Sequence, residues 1–453
     1  MIIDTQNLRR NPALLKLDLY CKGARLDDSC YIEDDGGRRI LRTRAGLGSG
    51  LEVILPGNLW TNIPVAEPFA QESPYSVCRE KGGYLLRFSG EEVAPLRLSP
   101  RPAWYERTTS SGKPMTRIGT LQGTYLGIYQ AKVCEYWAAK EKVNCKFCSV
   151  GLNLGVDDAD EKSIDEVMEV VRAARDESGV TYVDFNTGHY AGDSYLDLLE
   201  PFLVRIKREL GLLVGFQTPP HRDLRHYDRL RQRGLNRVSF CFEVYDRSLF
   251  EEICPGKHTE YGLDHYLEAI RYCAALGKKG PAAEPWVTNG EIIAGLEPPE
   301  SSIRAIDWIA SVGAIPTVCV FRPLTGTDLE HRSPPQAESL IPVFQRLYEA
   351  CMENRLPIGC APNVHVSLVM LPEECRSLSS RPYRWQELKL RAMAEAVRLR
   401  FELRAGAAAR RARAISAPSR RLGRTLRAPT TAGEGPRPEA RRPPPDSGGT
   451  VIE

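Results

Sequence analysis

The chain has 453 residues, of which 42% are apolar and 26% charged, so it is too long for one ordinary domain and can bury a large core. The net charge of +3 is uneven, because residues 404–453 carry eleven Arg against four acidic residues, which is +7, and leave −4 for residues 1–403. A mildly acidic body argues against a nucleic-acid partner, and without a signal peptide or an apolar span we expect a cytoplasmic protein with no membrane partner.

Residues 1–120 are predicted to form a β-rich accessory region. The stretches Gly50–Leu55 and Tyr84–Phe88 alternate apolar and polar residues, a pattern typical of short antiparallel strands. The Pro-containing segment Leu98–Pro102 separates this region from the rest of the chain. No motif in it indicates a chemical function.

Residues 121–335 alternate apolar strands with amphipathic helices. Ser163 and Glu166 form a capping box that starts the first long helix. Six strands are predicted at Thr124–Gln130, Thr181–Asn186, Leu212–Phe216, Arg237–Phe242, Val287–Ala294 and Pro316–Phe321. Strand–helix repetition predicts a parallel sheet rolled by right-handed crossovers. The fold class is therefore α/β, with an open, partial (β/α)6 barrel of TIM type.

The residues after the barrel divide into two parts. Residues 336–403 form an extension with a possible strand at Val364–Met370 and a long helix at Trp385–Leu403. Residues 404–453 are rich in Arg, Pro and Ala and lack apolar periodicity, which predicts a disordered basic tail.

Three cysteines come after the first barrel strand on one loop: Cys134, Cys145 and Cys148. Thirteen cysteines in a chain of this kind favour reduced thiols and metal ligation over disulfides. A structural zinc site would use four closed ligands, and this loop offers no fourth Cys or His. Three thiolates suit an iron–sulfur cluster that keeps one iron free for an outside ligand.

This pattern resembles the radical S-adenosylmethionine (SAM) superfamily, and its biotin-synthase-like branch most. That family usually places three residues between its first two cysteines, whereas ten separate Cys134 from Cys145 here. The resemblance implies a [4Fe–4S] cluster on the three cysteines that cleaves SAM reductively. The resulting 5′-deoxyadenosyl radical would abstract hydrogen from a small-molecule or carrier-bound substrate, in sulfur insertion, rearrangement or related C–H functionalisation. Flavodoxin or ferredoxin would supply the electron.

The resemblance also implies where SAM binds, at the carboxyl ends of the strands. Glu243, at the end of the fourth strand, suits the two ribose hydroxyls. Gly295 lets the backbone approach the adenine closely. The full set of expected SAM-binding residues is Phe147, Asn186, Thr187, Gly188, Gln217, Glu243, Ile293, Gly295, Phe321 and Arg322.

Several alternatives stay open from the sequence. A non-catalytic protein stabilised by zinc or a cluster would carry the same cysteines, and so would an enzyme that uses them for redox sensing. His189 and His221, near the ends of strands, suit either substrate contact or loop packing. A second cluster has four candidate ligands: Cys254, Cys351, Cys360 and Cys375.

Overall fold

The computed structural model describes residues 2–30, 50–80, 83–130, 132–279 and 284–416. Within this part of the chain there are two β-sheets, and helices surround the second one. The predicted basic tail lies for the most part outside the described residues.

The first sheet belongs to the accessory region, as the alternating sequence predicts. Its described strands have the order β1-β4-β5-β6-β2-β3, and every pair except β1 and β4 is antiparallel. Three helices accompany the sheet, and the side chains of α2 are buried almost throughout. The elements are α1 (Thr5–Arg10), α2 (Pro12–Lys22), β1 (Arg25–Leu26), β2 (Leu51–Leu55), β3 (Leu59–Ile63), α3 (Pro68–Gln71), β4 (Tyr75–Glu80), β5 (Gly83–Phe88) and β6 (Glu91–Leu98).

The second sheet contains the six predicted parallel strands in chain order. A short strand, β7, pairs antiparallel with β8 at one edge and was not predicted. All other neighbours are parallel, and each predicted strand is confirmed to within one residue at either end. The strands are β7 (Thr120–Gln122), β8 (Tyr125–Tyr129), β9 (Tyr182–Asn186), β10 (Leu213–Gln217), β11 (Arg237–Glu243), β12 (Val287–Ala294) and β13 (Ile315–Val320).

Helices connect successive parallel strands. The longest connections begin and end where the sequence predicts; α6 starts at the Ser163–Glu166 capping box and stops at Gly179 with a φ of 64°. The helices are α4 (Glu135–Ala138), α5 (Val150–Asn153), α6 (Ile164–Ser178), α7 (Tyr195–Glu209), α8 (His226–Gln232), α9 (Arg247–Ile253), α10 (Pro255–Glu260), α11 (Gly262–Lys278), α12 (Pro299–Val312), α13 (Ala337–Glu353) and α14 (Arg384–Ser416). Among the described helices, none combines the length and apolar character needed to cross a bilayer.

The edge strands of the second sheet are β13 and β7, and residues 363–370 contact the chain at both edges. The backbone N–H of Thr124 donates to the carbonyl of His365 at 3.0 Å, and Met370 forms a single bridge with Val318 of β13. The prediction of a strand at Val364–Met370 is therefore wrong, because isolated backbone hydrogen bonds and a single bridge hold this segment instead of a ladder.

The final helix is longer than predicted. α14 continues to Ser416, whereas the sequence predicts its end at Leu403 and disorder from 404 onward. Ala and Arg dominate this stretch and are strong helix formers, so the helix continues without an apolar face. Residues 417–453 lie outside the described residues.

Candidate active site

The cysteine loop lies at the carboxyl edge of the parallel strands and is held there by the segment that joins α9 to α10. The backbone N–H of Lys146 donates to Ile253 O at 2.9 Å, and that of Gly256 donates to Val143 O at 2.9 Å. A Cβ atom on residue 256 would lie 2.6 Å from Val143 O, so this approach requires glycine. Two backbone hydrogen bonds from this one connection thus fix the loop.

Cys134 is the first thiol of the loop and is buried. Its Sγ accepts a hydrogen bond from the backbone N–H of His189 at 3.3 Å. A Cβ atom on Gly188 would lie 2.4 Å from the Cβ of Cys134, so only glycine fits beside this thiol. The His189 ring stacks on Tyr136 with ring centroids 4.6 Å apart, which fixes the turn that carries the N–H donor.

Cys145 and Cys148 lie in different electrostatic surroundings. A hydrogen bond from the thiol of Cys254 lowers the pKa of Cys145, and the nearby ammonium of Lys257 lowers it further. Burial raises the pKa of Cys148 to about 12, and the charge of Cys145 adds to this effect. A thiolate is therefore favoured first at Cys145.

A buried ion pair lies next to the thiols. Lys257 Nζ is 2.7 Å from Glu243 Oε1 and also donates to the carbonyl of Cys241 at 2.5 Å. Glu243 has a φ of 69°, a strained conformation for a non-glycine residue, and the register of β11 with β12 shifts at this point. The strain turns the carboxylate of Glu243 toward Lys257 at the edge of the barrel.

These residues fit an iron–sulfur cluster. The backbone N–H of Cys148 donates to Cys145 O at 3.0 Å, and Cys148 packs against the same apolar cluster as Cys134. Thr187 Oγ1, Tyr136 Oη and Asn144 Oδ1 are buried beside the loop without a hydrogen-bond partner in the described structure, which indicates room for a polar group. Among the described residues no group of three or more Cys, His, Asp or Glu, the loop cysteines included, is arranged around a single ion.

Four of the expected SAM-binding residues lie at the ends of β9 and β10, in the order predicted. Gly188 packs against Cys134. Thr187 donates its backbone N–H to Gln217 O at 3.2 Å, and Gln217 Nε2 lies 3.0 Å from Cys241 Sγ. Asn186 and Gln217 both face the interior of the barrel. The structure thus brings these residues to the edge that carries the cysteines.

A second group of expected residues meets at the ends of β12 and β13. Gly295 has a φ of 97°, and a Cβ atom there would lie 2.8 Å from Pro335. The guanidinium of Arg332 lies 5.5 Å from the Phe321 ring centroid and donates to Leu296 O at 3.0 Å. Ile293 is buried on β12, and Phe147 is buried between Cys145 and Cys148.

The guanidinium of Arg322 contacts the accessory region. It donates to Asn62 O at 2.7 Å and to Asn62 Oδ1 at 3.0 Å, and it lies 5.0 Å from the ring centroid of Tyr20. These contacts hold the buried side chain between the barrel and the accessory region, so that it joins the two parts of the chain. The expectation that Arg322 binds SAM stays a prediction.

The remaining cysteine and histidine candidates pack within the fold. Cys254 lies beside Cys145, whereas Cys360 and Cys375 donate to backbone carbonyls of Ile358 and Leu371. His221 accepts from the N–H of Asp223 at 2.9 Å and so orders a loop. Cys351 is buried in α13. A second cluster on these four cysteines stays an open alternative.

Sequence reasoning did not identify the polar interior of the barrel. Arg237 of β11 pairs with Asp184 of β9 and Glu291 of β12 in that interior. The signal was present in β11, where Arg237, Ser239, Cys241 and Glu243 alternate with apolar residues. A strand covered by helices on one face keeps such alternation only if its other face meets a polar space.

A family model described as the radical SAM superfamily matches residues 142–315. The match includes Cys145 and Cys148 and begins after Cys134. A curated relative, bacteriochlorophyllide c C-7(1)-hydroxylase from Chlorobaculum limnaeum, is 30% identical over 150 residues, which are 33% of this chain and 36% of the relative. This chain thus spans about a third of that relative's length.

Solved structures with a similar arrangement share low identity with this chain. Methylornithine synthase (PylB) covers 49% of this chain and 62% of its own, with 19% identity and a TM-score of 0.39. HydG, a maturase of the [FeFe]-hydrogenase, covers 49% of this chain and 47% of its own, with 14% identity and a TM-score of 0.34. Coproporphyrinogen III oxidase (HemN) from Escherichia coli covers 39% of this chain and 41% of its own, with 15% identity and a TM-score of 0.30.

The described part of the chain combines an open (β/α)6 sheet with a cysteine loop after the first parallel strand. Residues 142–315 are similar in sequence to the radical SAM superfamily.

Proposed function

We propose that this chain is a radical SAM enzyme whose catalytic unit is residues 121–335 and whose cluster ligands are Cys134, Cys145 and Cys148. The observation that carries the proposal is the three-cysteine loop, which two backbone hydrogen bonds from one connection of the barrel hold at the carboxyl edge of its parallel strands. When bound, the [4Fe–4S] cluster and SAM would supply a 5′-deoxyadenosyl radical that abstracts hydrogen from an unreactive C–H bond.

The residues around the loop would prepare the site for these cofactors. The N–H of His189 stabilises negative charge on Cys134, and Lys257 offsets the charge that three thiolates bring into a buried place. Glu243 would accept hydrogen bonds from the ribose, and Asn186 and Thr187 would accept them from the methionine ammonium. Gly295 and Phe321 would line the adenine.

The reaction class we propose is C–H functionalisation of a substrate held inside the barrel. The similar protein from Chlorobaculum limnaeum is named as a hydroxylase, which is a reaction of this kind. Sulfur insertion and rearrangement belong to the same radical chemistry. An external flavodoxin or ferredoxin would deliver the electron, and the cytoplasmic location stays a prediction.

The test is anaerobic reconstitution with iron and sulfide, then addition of dithionite and SAM, with 5′-deoxyadenosine measured by chromatography. Wild-type protein is expected to form 5′-deoxyadenosine, and Cys145→Ala protein is expected to form none. Cys273→Ala is a matched control, because Cys273 is a buried thiol of α11 away from the loop. Equal 5′-deoxyadenosine formation by wild type and Cys145→Ala, or none by wild type, would refute the proposal.

A further inference from the structure

A cavity of about 820 Å³ occupies the interior of the barrel. It reaches Tyr129, Asn186 and Gln217, which end β8, β9 and β10 at the edge that carries the cysteine loop. At the opposite end of the strands it reaches Trp286 and residues 357–374. A closed barrel fills this space with bulky side chains, so a cavity of this size marks a place for a ligand.

The middle of the cavity is built around a carboxylate. Asp184 of β9 lies in register with Gly127 of β8 and with Gly215 of β10. A Cβ atom on Gly215 would lie 1.9 Å from the hydroxyl of Tyr182, which donates to Asp184. The glycine therefore leaves space for the tyrosine that holds Asp184 on the cavity wall.

Arg237 is held against the same wall, and its guanidinium is already paired with carboxylates. Its Nη1 is 3.1 Å from Asp184 Oδ1, its Nη2 is 2.7 Å from Glu291 Oε1, and its Nε is 3.0 Å from Asn289 Oδ1. Two carboxylates thus surround one guanidinium. Ser239 and Cys241 add hydrogen bonds to Glu291, which keeps this carboxylate in place beside the cavity.

Two further carboxylates line the opposite end of the cavity. Glu374 Oε2 pairs with Lys16 at 2.8 Å, while Glu374 Oε1 is buried without a hydrogen-bond partner in the described structure. The side chain of Glu374 is 6% exposed. Glu373 also lines the cavity, and burial raises its pKa to about 7. The described lining therefore contains four carboxyl groups but only one guanidinium, that of Arg237; Lys16 pairs with Glu374, and burial lowers the pKa of His365, the other basic residue of this lining.

We propose that this cavity is the substrate site and that it takes a molecule with a basic nitrogen on an apolar frame. A cation would pair with the surplus carboxylates, whereas a carboxylate or phosphate would enter a buried place without a counter-charge, which is costly. The apolar frame would pack on the aromatic and aliphatic part of the lining, which includes Tyr125, Trp286 and Met370. This inference rests on the proposed function, because the cavity reaches Tyr129, Asn186 and Gln217 at the edge that carries the cysteine loop.

The inference also bears on the source of the substrate. A carrier arm that bears phosphate would bring negative charge to the same carboxylates. The structure therefore favours a free small molecule over a substrate on a phosphate-bearing carrier.

The test uses full-length, reconstituted protein and three probes of similar size: phenylethylamine, phenylethanol and phenylacetate. Binding is measured by isothermal titration calorimetry without SAM. The amine is expected to bind about tenfold or more tightly than phenylacetate, because a hydrogen-bonded charge pair differs from an unpaired charge by at least this factor. Equal binding of amine and carboxylate, or no binding of the amine, would overturn the inference.

Variants show whether the interior carboxylates cause the preference for phenylethylamine over phenylacetate. Glu291→Gln keeps Arg237 paired with Asp184, and it is expected to weaken amine binding about tenfold while phenylethanol binding stays the same. Asp184→Asn provides an independent second variant. Glu349→Gln is the matched control, since Glu349 is a buried carboxylate of α13 that bonds Ser379 outside the cavity. A preference that survives both interior variants would overturn the inference.

The outcome of this test is separable from that of the proposed function. Probe binding requires no cleavage of SAM, whereas 5′-deoxyadenosine formation requires no particular substrate charge. Protein that forms 5′-deoxyadenosine but shows no amine preference would refute the inference alone. Protein that prefers the amine but never forms 5′-deoxyadenosine would refute the proposed function alone.

Discussion

Lys257 and Glu243 form an ion pair with 2.7 Å between Nζ and Oε1, and each side chain is 12% exposed. The lysine comes from α10 and the glutamate from the end of β11. The same ammonium lowers the pKa of Cys145. One cation therefore connects the residue expected to bind the ribose with the thiols expected to bind the cluster.

Replacing Lys257 by Met is expected to destabilise the protein by about 3 kcal/mol, since it leaves the carboxylate of Glu243 buried without a counter-charge. Urea unfolding of the cluster-free protein measures this loss. Lys113→Met serves as the control, because Lys113 pairs with Glu166 at 3.1 Å but is 39% exposed, and such pairs contribute about 1 kcal/mol or less. Equal losses of unfolding free energy in the two variants would show that the Lys257–Glu243 pair stabilises the protein no more than an exposed ion pair does.

Iron content separates the ligands from the neighbouring thiol. Cys134→Ala, Cys145→Ala and Cys148→Ala are each expected to lose most of the iron bound after reconstitution, because three ligands hold the cluster. Cys254→Ser is expected to retain it, since Cys254 contacts Cys145 only as a hydrogen-bond donor. Iron and sulfide assays measure the loss in the three ligand variants and the retention in Cys254→Ser. A Cys254→Ser protein as poor in iron as Cys145→Ala would instead make Cys254 a ligand.

Gly188→Ala is expected to impair cluster assembly without unfolding the chain. The added methyl group would lie 2.4 Å from the Cβ of Cys134 and 2.9 Å from its sulfur, so the thiol must move. Iron content after reconstitution and the far-ultraviolet circular dichroism spectrum measure the two effects. Gly192→Ala is the control, because a Cβ atom there meets open space and adds only the strain of a φ of 70°. Full iron loading of Gly188→Ala would contradict the position given to Cys134.

Arg322→Met is expected to lower stability, whatever its effect on SAM affinity. Removing the guanidinium leaves the carbonyl and the side-chain oxygen of Asn62 buried without their donors, which costs about 1–3 kcal/mol for each group. Chemical unfolding gives the stability, and equilibrium dialysis with labelled SAM gives the affinity. A large loss of SAM affinity with unchanged stability would contradict the joining role of Arg322 and support the role expected from the sequence.

The barrel could be predicted because its signals are local. Each parallel strand is a short apolar run, and caps such as Ser163 fix the helix between two strands, so the boundaries depend on neighbouring residues alone. Residues 364–370 are as apolar as a strand, but they contact the chain at both edges of the sheet, and only tertiary contacts determine that outcome.

The site was predictable where residues adjoin strand ends and not where distant segments meet. Glu243 and Gly295 lie at or just after strand ends, and the structure places them at the expected edge. Arg322 also comes soon after a strand, but Asn62 of the accessory region captures its guanidinium, and no pattern around Arg322 indicates a partner so distant in sequence. The pairing of Arg237 with Asp184 and Glu291 likewise depends on the register of neighbouring strands.

The central claim is that three thiolates hold a [4Fe–4S] cluster with one iron open to SAM. Electron paramagnetic resonance of reconstituted, dithionite-reduced protein with and without SAM tests it most directly. The account predicts the signal of a reduced [4Fe–4S] cluster in wild-type protein and a clear change of its g values when SAM is added. A cluster signal that SAM leaves unchanged, or a reconstituted protein that shows no cluster signal, would contradict it.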